Sequence, residues 1–330
     1  MLRLLQFAAL GFAVLTAVAS DERVITTESP SAGVAFAKEG NSLAVFGEDK
    51  KIGVWDVASG KLVRNIELPK DETPPFLLRS GRHVATVTTN GVIKTRELGS
   101  GLAIAAFEVP PPSVFGEGMT LVTDGVLFAA SGKDPVSPSS ALIRVVDRAG
   151  KVRFQAPAGV GGHYAMAFSP NEDSVVAAGL DTDIRVWDAR TGELQRVISE
   201  MKLAMFALAY SPDGKYLATA GADRTIYLWD TKSWKIARKI TGQPETIVAI
   251  RFSPDGTMLV TGGMNERNFA APVKVVLWDF VSGRKLHTWT AEHMVQGLSF
   301  SPDGKQLAVA DGTKRVKLWA VPNKASTAKH

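Results

Sequence analysis

The chain has 330 residues, 45% apolar and 22% charged, with 30 Gly, 17 Pro, no Cys and a formal net charge of +5. That balance excludes a disordered chain, a disulfide-stapled mini-protein and a collagen-like fibre. Without Cys there is no thiolate nucleophile, Cys-zinc site, iron–sulfur cluster or c-type haem attachment, and so small a positive excess is no nucleic-acid signature.

At the N-terminus, Arg3 opens a short basic start, an apolar run spans Leu4 to Val18, and Ala17 and Ala19 precede Asp21 and Glu22. This layout predicts a signal peptide over residues 1–19, cut after Ala19 or Ser20. The run is short for the ~17–25 residues that a retained spanning helix needs. Residues 20–322 are then expected to form one exported domain, periplasmic or secreted, with 323–330 a flexible tail. Arg23–Thr27 reads as a β-strand standing ahead of everything else.

From about Ala32 onward a unit repeats. Phe36, Gly40 and Val54-Trp55-Asp56 make the first copy. Leu77, Gly81 and Thr95-Arg96-Glu97 make a fainter second, and Leu121, Gly125 and Val145-Val146-Asp147 a third. Phe168, Tyr210, Phe252 and Phe300 open four more. These carry the turn Ser169-Pro170-Asn171-Glu172 and then Ser-Pro-Asp-Gly at 211–214, 253–256 and 301–304. They close at Trp187-Asp188, Trp229-Asp230, Trp278-Asp279 and Trp319-Ala320. The residue after the Trp slot recurs at steps of 41, 50, 41, 42, 49 and 41, which makes seven units. Inside a unit the apolar alternation has period two, as in Tyr216–Ala220 and Thr225–Trp229, so each unit is predicted to hold four short strands, a to d. Pro presets φ and Gly accepts positive φ in the a–b turn. Asp49, Asn90, Asp134, Asp181, Asp223, Asn265 and Thr313 occupy the turn position of the b–c hairpin.

A four-stranded unit of about 41 residues ending in Trp-Asp resembles the WD-repeat (WD40-type) β-propeller family, here as a divergent bacterial exported member. The resemblance implies an all-β fold: a seven-bladed propeller of four-stranded antiparallel blades. The last unit ends after its strand c, so Arg23–Thr27 is expected to complete the seventh blade and close the ring. The family's buried hydrogen-bond cluster is implied in one blade by His163, Asp181 and Trp187, with Ala177 where the family has Ser or Thr. Arg96 and Val146 in the Trp slot imply blades held mainly by apolar packing. Trp55, Asp56, Trp187, Asp188, Trp229, Asp230, Trp278, Asp279, Trp319, His163 and Asp181 are accordingly structural candidates. Trp234 and Trp289 are placed on outer strands.

Two b–c hairpins carry insertions, Pro135–Ser140 and Glu266–Ala271, and several d–a connections on the same face are Pro-rich. Strands cannot absorb insertions without losing register, so this face is elaborated while the Ser-Pro-Asp-Gly face is trimmed. Asn265, Glu266, Arg267, Asn268 and Phe269, with Lys133 and Asp134, are the candidate partner-binding residues, offering an aromatic anchor, Arg and amides. The resemblance implies a non-enzymatic, monomeric scaffold for a protein partner, without cofactor or metal and without nucleic-acid binding. Lys50-Lys51, Lys314-Arg315 and Lys317 lack interleaved aromatics. The alternative is a propeller enzyme, lactonase- or dehydrogenase-like, with its site at the central channel. His83, His163, His287, His293 and His330 do not form the ligand ring such an enzyme needs. A third reading is a module of a larger envelope assembly.

Overall fold

The computed structural model describes residues 22–322, apart from 73–75, 78–82, 89–91, 99, 109–119, 124–126, 134–139, 148, 150 and 161–162. Its regular elements are 28 short strands. The signal-peptide expectation over residues 1–19, the tail at 323–330 and Asp134 lie outside the described residues.

Apolar residues alternating between turn formers make short strands, and seven four-stranded antiparallel sheets result, their outer strands largely exposed. The first holds β2 (Ser31–Phe36), β3 (Ser42–Gly47), β4 (Lys51–Asp56) and β5 (Leu62–Glu67), in that order. The second runs from β6 (Phe76–Leu77) through β7 (His83–Val87) and β8 (Val92–Glu97) to β9 (Ala103–Glu108). The third comprises β10 (Thr120–Thr123), β11 (Leu127–Lys133), β12 (Ser140–Asp147) and β13 (Val152–Val160). The fourth is β14 (His163–Phe168), β15 (Ser174–Gly179), β16 (Ile184–Asp188) and β17 (Leu194–Ile198). The fifth is β18 (Met205–Tyr210), β19 (Tyr216–Gly221), β20 (Ile226–Asp230) and β21 (Lys235–Ile240). The sixth is β22 (Thr246–Phe252), β23 (Met258–Met264), β24 (Val273–Asp279) and β25 (Lys285–Ala291). The seventh is β26 (Gly297–Phe300), β27 (Gln306–Ala310) and β28 (Arg315–Ala320), with β1 (Glu22–Thr26) as its fourth strand.

In that last sheet Arg23 stands opposite Leu318 and Ile25 opposite Val316. Thr27 N continues the ladder to Lys314 O at 2.8 Å. Arg23 Nη1 also donates to Val57 O at 2.8 Å, so the N-terminal strand is tied to the first sheet as well.

The core lies between sheets. Ile25, Ala308, Val316 and Leu318 of the seventh sheet pack with Val34, Leu43 and Val45 of the first. Ile52, Val54 and Ile66 of the first pack with Val84 and Leu98 of the second. Similar clusters join the third sheet to the fourth, the fourth to the fifth, the fifth to the sixth and the sixth to the seventh. Trp187, Trp229 and Trp278 are among the largest fully buried side chains. At ~150–250 Å² each and ~25 cal/mol per Å², such a burial contributes about 4–6 kcal/mol of transfer free energy. The a–b turns touch in sequence too. A Cβ on Gly256 (φ +69°) would stand 3.4 Å from Pro212 Cδ of the preceding turn, and one on Gly40 (φ +76°) 3.3 Å from Pro302 Cδ.

The expectation that the second unit rests mainly on apolar packing is corrected. Arg96 fills its Trp slot and forms a buried ion pair with Glu72, whose residue is 1% exposed. Thr86 Oγ1 and Lys94 Nζ also donate to that carboxylate, at 2.5 and 3.0 Å. A buried cation persists only when a carboxylate and further hydrogen bonds offset its lost hydration, and Glu72 supplies both. Trp234 is likewise not on an outer strand. It sits in the turn before β21 at φ 55°, its N–H bonded to Asp230 O at 2.7 Å. Trp289 does lie on the outer strand β25, where it stacks on Trp319 with ring centroids 5.2 Å apart.

Candidate functional site

In six of the seven sheets the Trp slot sits at an irregularity of the c–d ladder. The register shifts fall at Val54/Trp55, Thr95/Arg96, Val145/Val146, Val186/Trp187, Leu228/Trp229 and Leu277/Trp278. A bulge re-aims its side chain and sharpens the local twist. The β1–β28 ladder has no shift, and there Glu22 lies directly opposite Trp319. Glu22 Oε2 accepts the Trp319 Nε1–H at 3.0 Å.

The acceptors for the other indoles differ from sheet to sheet. Trp229 Nε1 donates to Thr219 Oγ1 at 3.0 Å, and Trp278 Nε1 to Thr261 Oγ1 at 2.9 Å. Thr261 Oγ1 donates in turn to Gln243 Oε1 at 2.8 Å. At the matching position opposite the c strand stand Val45 in the first sheet and Ala177 in the fourth. Of the implied cluster of His163, Asp181 and Trp187, only part lies among the described side chains. Asp181 Oδ2 turns to Arg185 Nη1 at 2.5 Å. Trp187 is fully buried opposite Val175, and His163 begins β14, its side chain outside the described set. In the first sheet, Trp55 is half-buried, and its Nε1 has no hydrogen-bond partner among the described residues.

The Asp after the Trp closes the c–d turn. Asp56 Oδ1 accepts from Ser59 N at 2.8 Å, Asp188 from Thr191 N at 2.8 Å, Asp230 from Ser233 N at 2.7 Å and Asp279 from Ser282 N at 2.7 Å. Hydrogen bonds from Ser59, from Thr191 and Arg190, and from Ser233 hold the Asp56, Asp188 and Asp230 carboxyls below their usual pKa. All four acids are therefore turn caps, and Asp56, Asp188 and Asp230 stay charged at neutral pH.

On the elaborated face, the long hairpin between β23 and β24 is built by its own polar side chains. Asn265 Oδ1 accepts from Arg267 N at 3.0 Å and Asn268 N at 3.2 Å, and Asn268 Oδ1 from Ala270 N at 3.1 Å. Thr246 Oγ1 donates to Glu266 Oε1, and Met294 N to Phe269 O at 3.1 Å. The insertion is thus folded onto the segment before β26. Phe269 is left 59% exposed at its tip, and Arg267 is exposed beside it. Lys133 ends β11 on the same type of hairpin. Among the described residues, no group of three His, Cys, Asp or Glu is placed to hold a metal ion. His287 packs its ring against Trp289 with centroids 4.6 Å apart.

Four-stranded antiparallel sheets packed face to face, with a Trp at the third strand and an Asp cap after it, define the class: a β-propeller of WD-type blades. The family model described as WD40, WD domain, G-beta repeat, matches residues 155–188, 193–230, 234–267 and 283–320, so the propeller carries WD40 repeats in four places. Each match begins on or just before an outer strand and runs into the next sheet. The third match stops at residue 267, inside the inserted hairpin. Comparison with curated proteins gives no match.

Proposed function

We propose that this protein is an exported, non-enzymatic scaffold that binds a protein partner through its loop-rich face. WD40 propellers commonly act as interaction platforms, and the chain carries that repeat. In this reading the seven sheets form one closed ring with β1 as the latch. Residues 1–19 are the signal peptide that delivers it to the periplasm or beyond, and the mature chain is a monomer.

The observation that carries the reading is the hairpin at 265–271. Its backbone is ordered internally by Asn265 and Asn268, yet it offers solvent an aromatic ring and a guanidinium. A preformed loop loses little conformational entropy on binding, and aromatic and Arg side chains are the usual anchors of an interface.

The test is affinity capture from envelope extract with the full chain, the Glu266–Ala271 deletion and Phe269→Asp. Loss of a specific partner from both variants, at unchanged melting temperature, supports the reading. Equal capture by all three chains refutes the face. N-terminal sequencing of the expressed protein checks for the cut after Ala19 or Ser20.

A further inference from the structure

Three hairpins of this propeller share one geometry, and one of them lacks a side chain that the other two use. In the fourth and fifth sheets an Asp opens the b–c hairpin, the next residue takes positive φ, and the Trp follows six places after the Asp. Thr182 has φ 64° and Arg224 has φ 61°. The residue two places before the Trp returns to the Asp. Arg185 Nη1 donates to Asp181 Oδ2 at 2.5 Å, and the Tyr227 hydroxyl donates to Asp223 Oδ2 at 2.6 Å. Tyr227 also stacks on Trp229, with ring centroids 6.3 Å apart and planes at 28°.

The first sheet repeats this frame with Asp49, Lys50 at φ 63° and Trp55, but the residue between them is Gly53. The other six sheets hold Lys94, Arg144, Arg185, Tyr227, Val276 and Lys317 at that position. Beside Gly53 the first sheet has a cavity of about 230 Å³, lined by Thr26, Glu28, Asp49, Gly53, Trp55 and Leu62 among others. A single water needs only about 10–15 Å³ of such space. A Cβ at Gly53 would meet Trp55 Nε1 at 2.6 Å, so the indole leans over the place of the missing side chain. No threonine pins that indole as Thr219 and Thr261 pin theirs. Asp49 is exposed, with its Oδ1 accepting from Lys51 N at 3.3 Å. The charged lining comprises Glu28, Asp49 and Lys51, and Lys51 Nζ lies 3.6 Å from Glu28 Oε2.

We propose that this cavity receives an alkyl-guanidinium, the side chain of an arginine supplied from outside the chain. It combines what Arg185 does on Asp181 with what Tyr227 does on Trp229: the guanidinium on Asp49, the plane and stem against Trp55. A guanidinium donates in a fork and stacks on an indole, and two carboxylates against one lysine favour a cation. Tyrosine, the other side chain used at a sister site, is neutral and offers one donor. The site lies between the first sheet and the segment after β1, apart from the 265–271 hairpin, so the two proposals fail independently.

The test is calorimetric titration of the full chain with N-acetyl-arginine amide, with free arginine, and with the lysine and tyrosine amides. Saturable binding of the arginine amide is expected, weakened about tenfold in Asp49→Asn, which keeps the turn acceptor and removes the charge. Gly53→Arg, which fills the cavity from within, is expected to abolish it. Deletion of Glu266–Ala271 leaves it unchanged. Tighter binding of the blocked amide than of free arginine assigns the site to a peptide, and the reverse order assigns it to the free amino acid. Absence of saturable binding, equal binding by Asp49→Asn, or equal or better binding of the lysine or tyrosine amide overturns the proposal.

Discussion

Arg96 and Glu72 form a two-pronged ion pair inside the second sheet, Nη1 on Oε2 and Nη2 on Oε1, both at 2.6 Å. The arginine stands in the slot that five other sheets give to tryptophan. A charged pair at a site built for an aromatic ring makes this sheet unusually sensitive to the loss of either partner.

Glu72→Gln is expected to cost about 3–5 kcal/mol, because it leaves Arg96 and Lys94 facing a neutral amide. Burial is the largest influence on the Glu72 carboxyl and pushes its pKa up. Arg96, Thr86 and Lys94 together outweigh it and hold the pKa below the usual value. A carboxyl depressed in the folded state contributes stability that is complete above its unfolded pKa of about 4.3 and is lost as pH falls through the folded value. Urea unfolding at pH 7 and below pH 4 should therefore show the gap between wild type and Glu72→Gln narrowing at acid pH. A gap that stays constant contradicts the assignment.

Thr261→Val removes the acceptor of Trp278 Nε1 and the donor to Gln243 Oε1 while keeping the shape. Two buried polar groups lose a partner, and a loss of about 1–3 kcal/mol is expected for each unsatisfied group. The same change at Thr219 strands only the Trp229 indole in the bonds seen here, so it should cost less. Chemical denaturation of the two variants orders them.

Deleting residues 22–27 removes the buried Ile25, the Glu22 acceptor of Trp319 and the Arg23 bonds to Val57 O and Gln306 Oε1. It also opens the edge of β28 to pairing with other chains. The melting temperature should fall by several degrees, as loss of a few kcal/mol does in a chain of this size. An unchanged melt means that β1 contributes nothing to holding the seventh sheet.

Gly221→Ala places a Cβ about 2.0 Å from Ala204 O, a backbone atom that cannot swing aside. Overpacking of this kind costs typically 1–3 kcal/mol. Differential scanning calorimetry of the purified variant is the direct measurement, and wild-type stability would show that the 204–205 segment yields freely.

Much of the architecture is written in local signals. Ser-Pro-Asp-Gly specifies a turn because Pro presets its φ and Gly accepts a positive one, and Gly214, Gly256 and Gly304 indeed take φ of +69° to +73°. At the weaker copy, Glu172 adopts φ 64° where the others have Gly, so the turn form survives a residue that disfavours it. The Trp slots were legible for the same reason: a bulky apolar residue recurring at one phase of a strand has to be buried. Their hydrogen-bond partners were not. Glu22 reaches Trp319 across 297 positions of sequence, and Glu72 meets Arg96 through a d–a connection that reads as an ordinary polar loop.

Gly53 shows where the boundary lies. In the sequence it is one glycine in an alternating strand. Its meaning appears only when Arg185 is seen returning to Asp181, and Tyr227 to Asp223 and over Trp229, from the same place in their own sheets. The sequence by itself determined the repeat, the strand phase and the turns, since each depends on the conformational preferences of a few neighbouring residues. Which indole finds an acceptor, which acid is buried and where a cavity opens were decided by the tertiary structure alone. Those outcomes depend on side chains that distant strands bring to the same few ångströms, and no local preference encodes that distance.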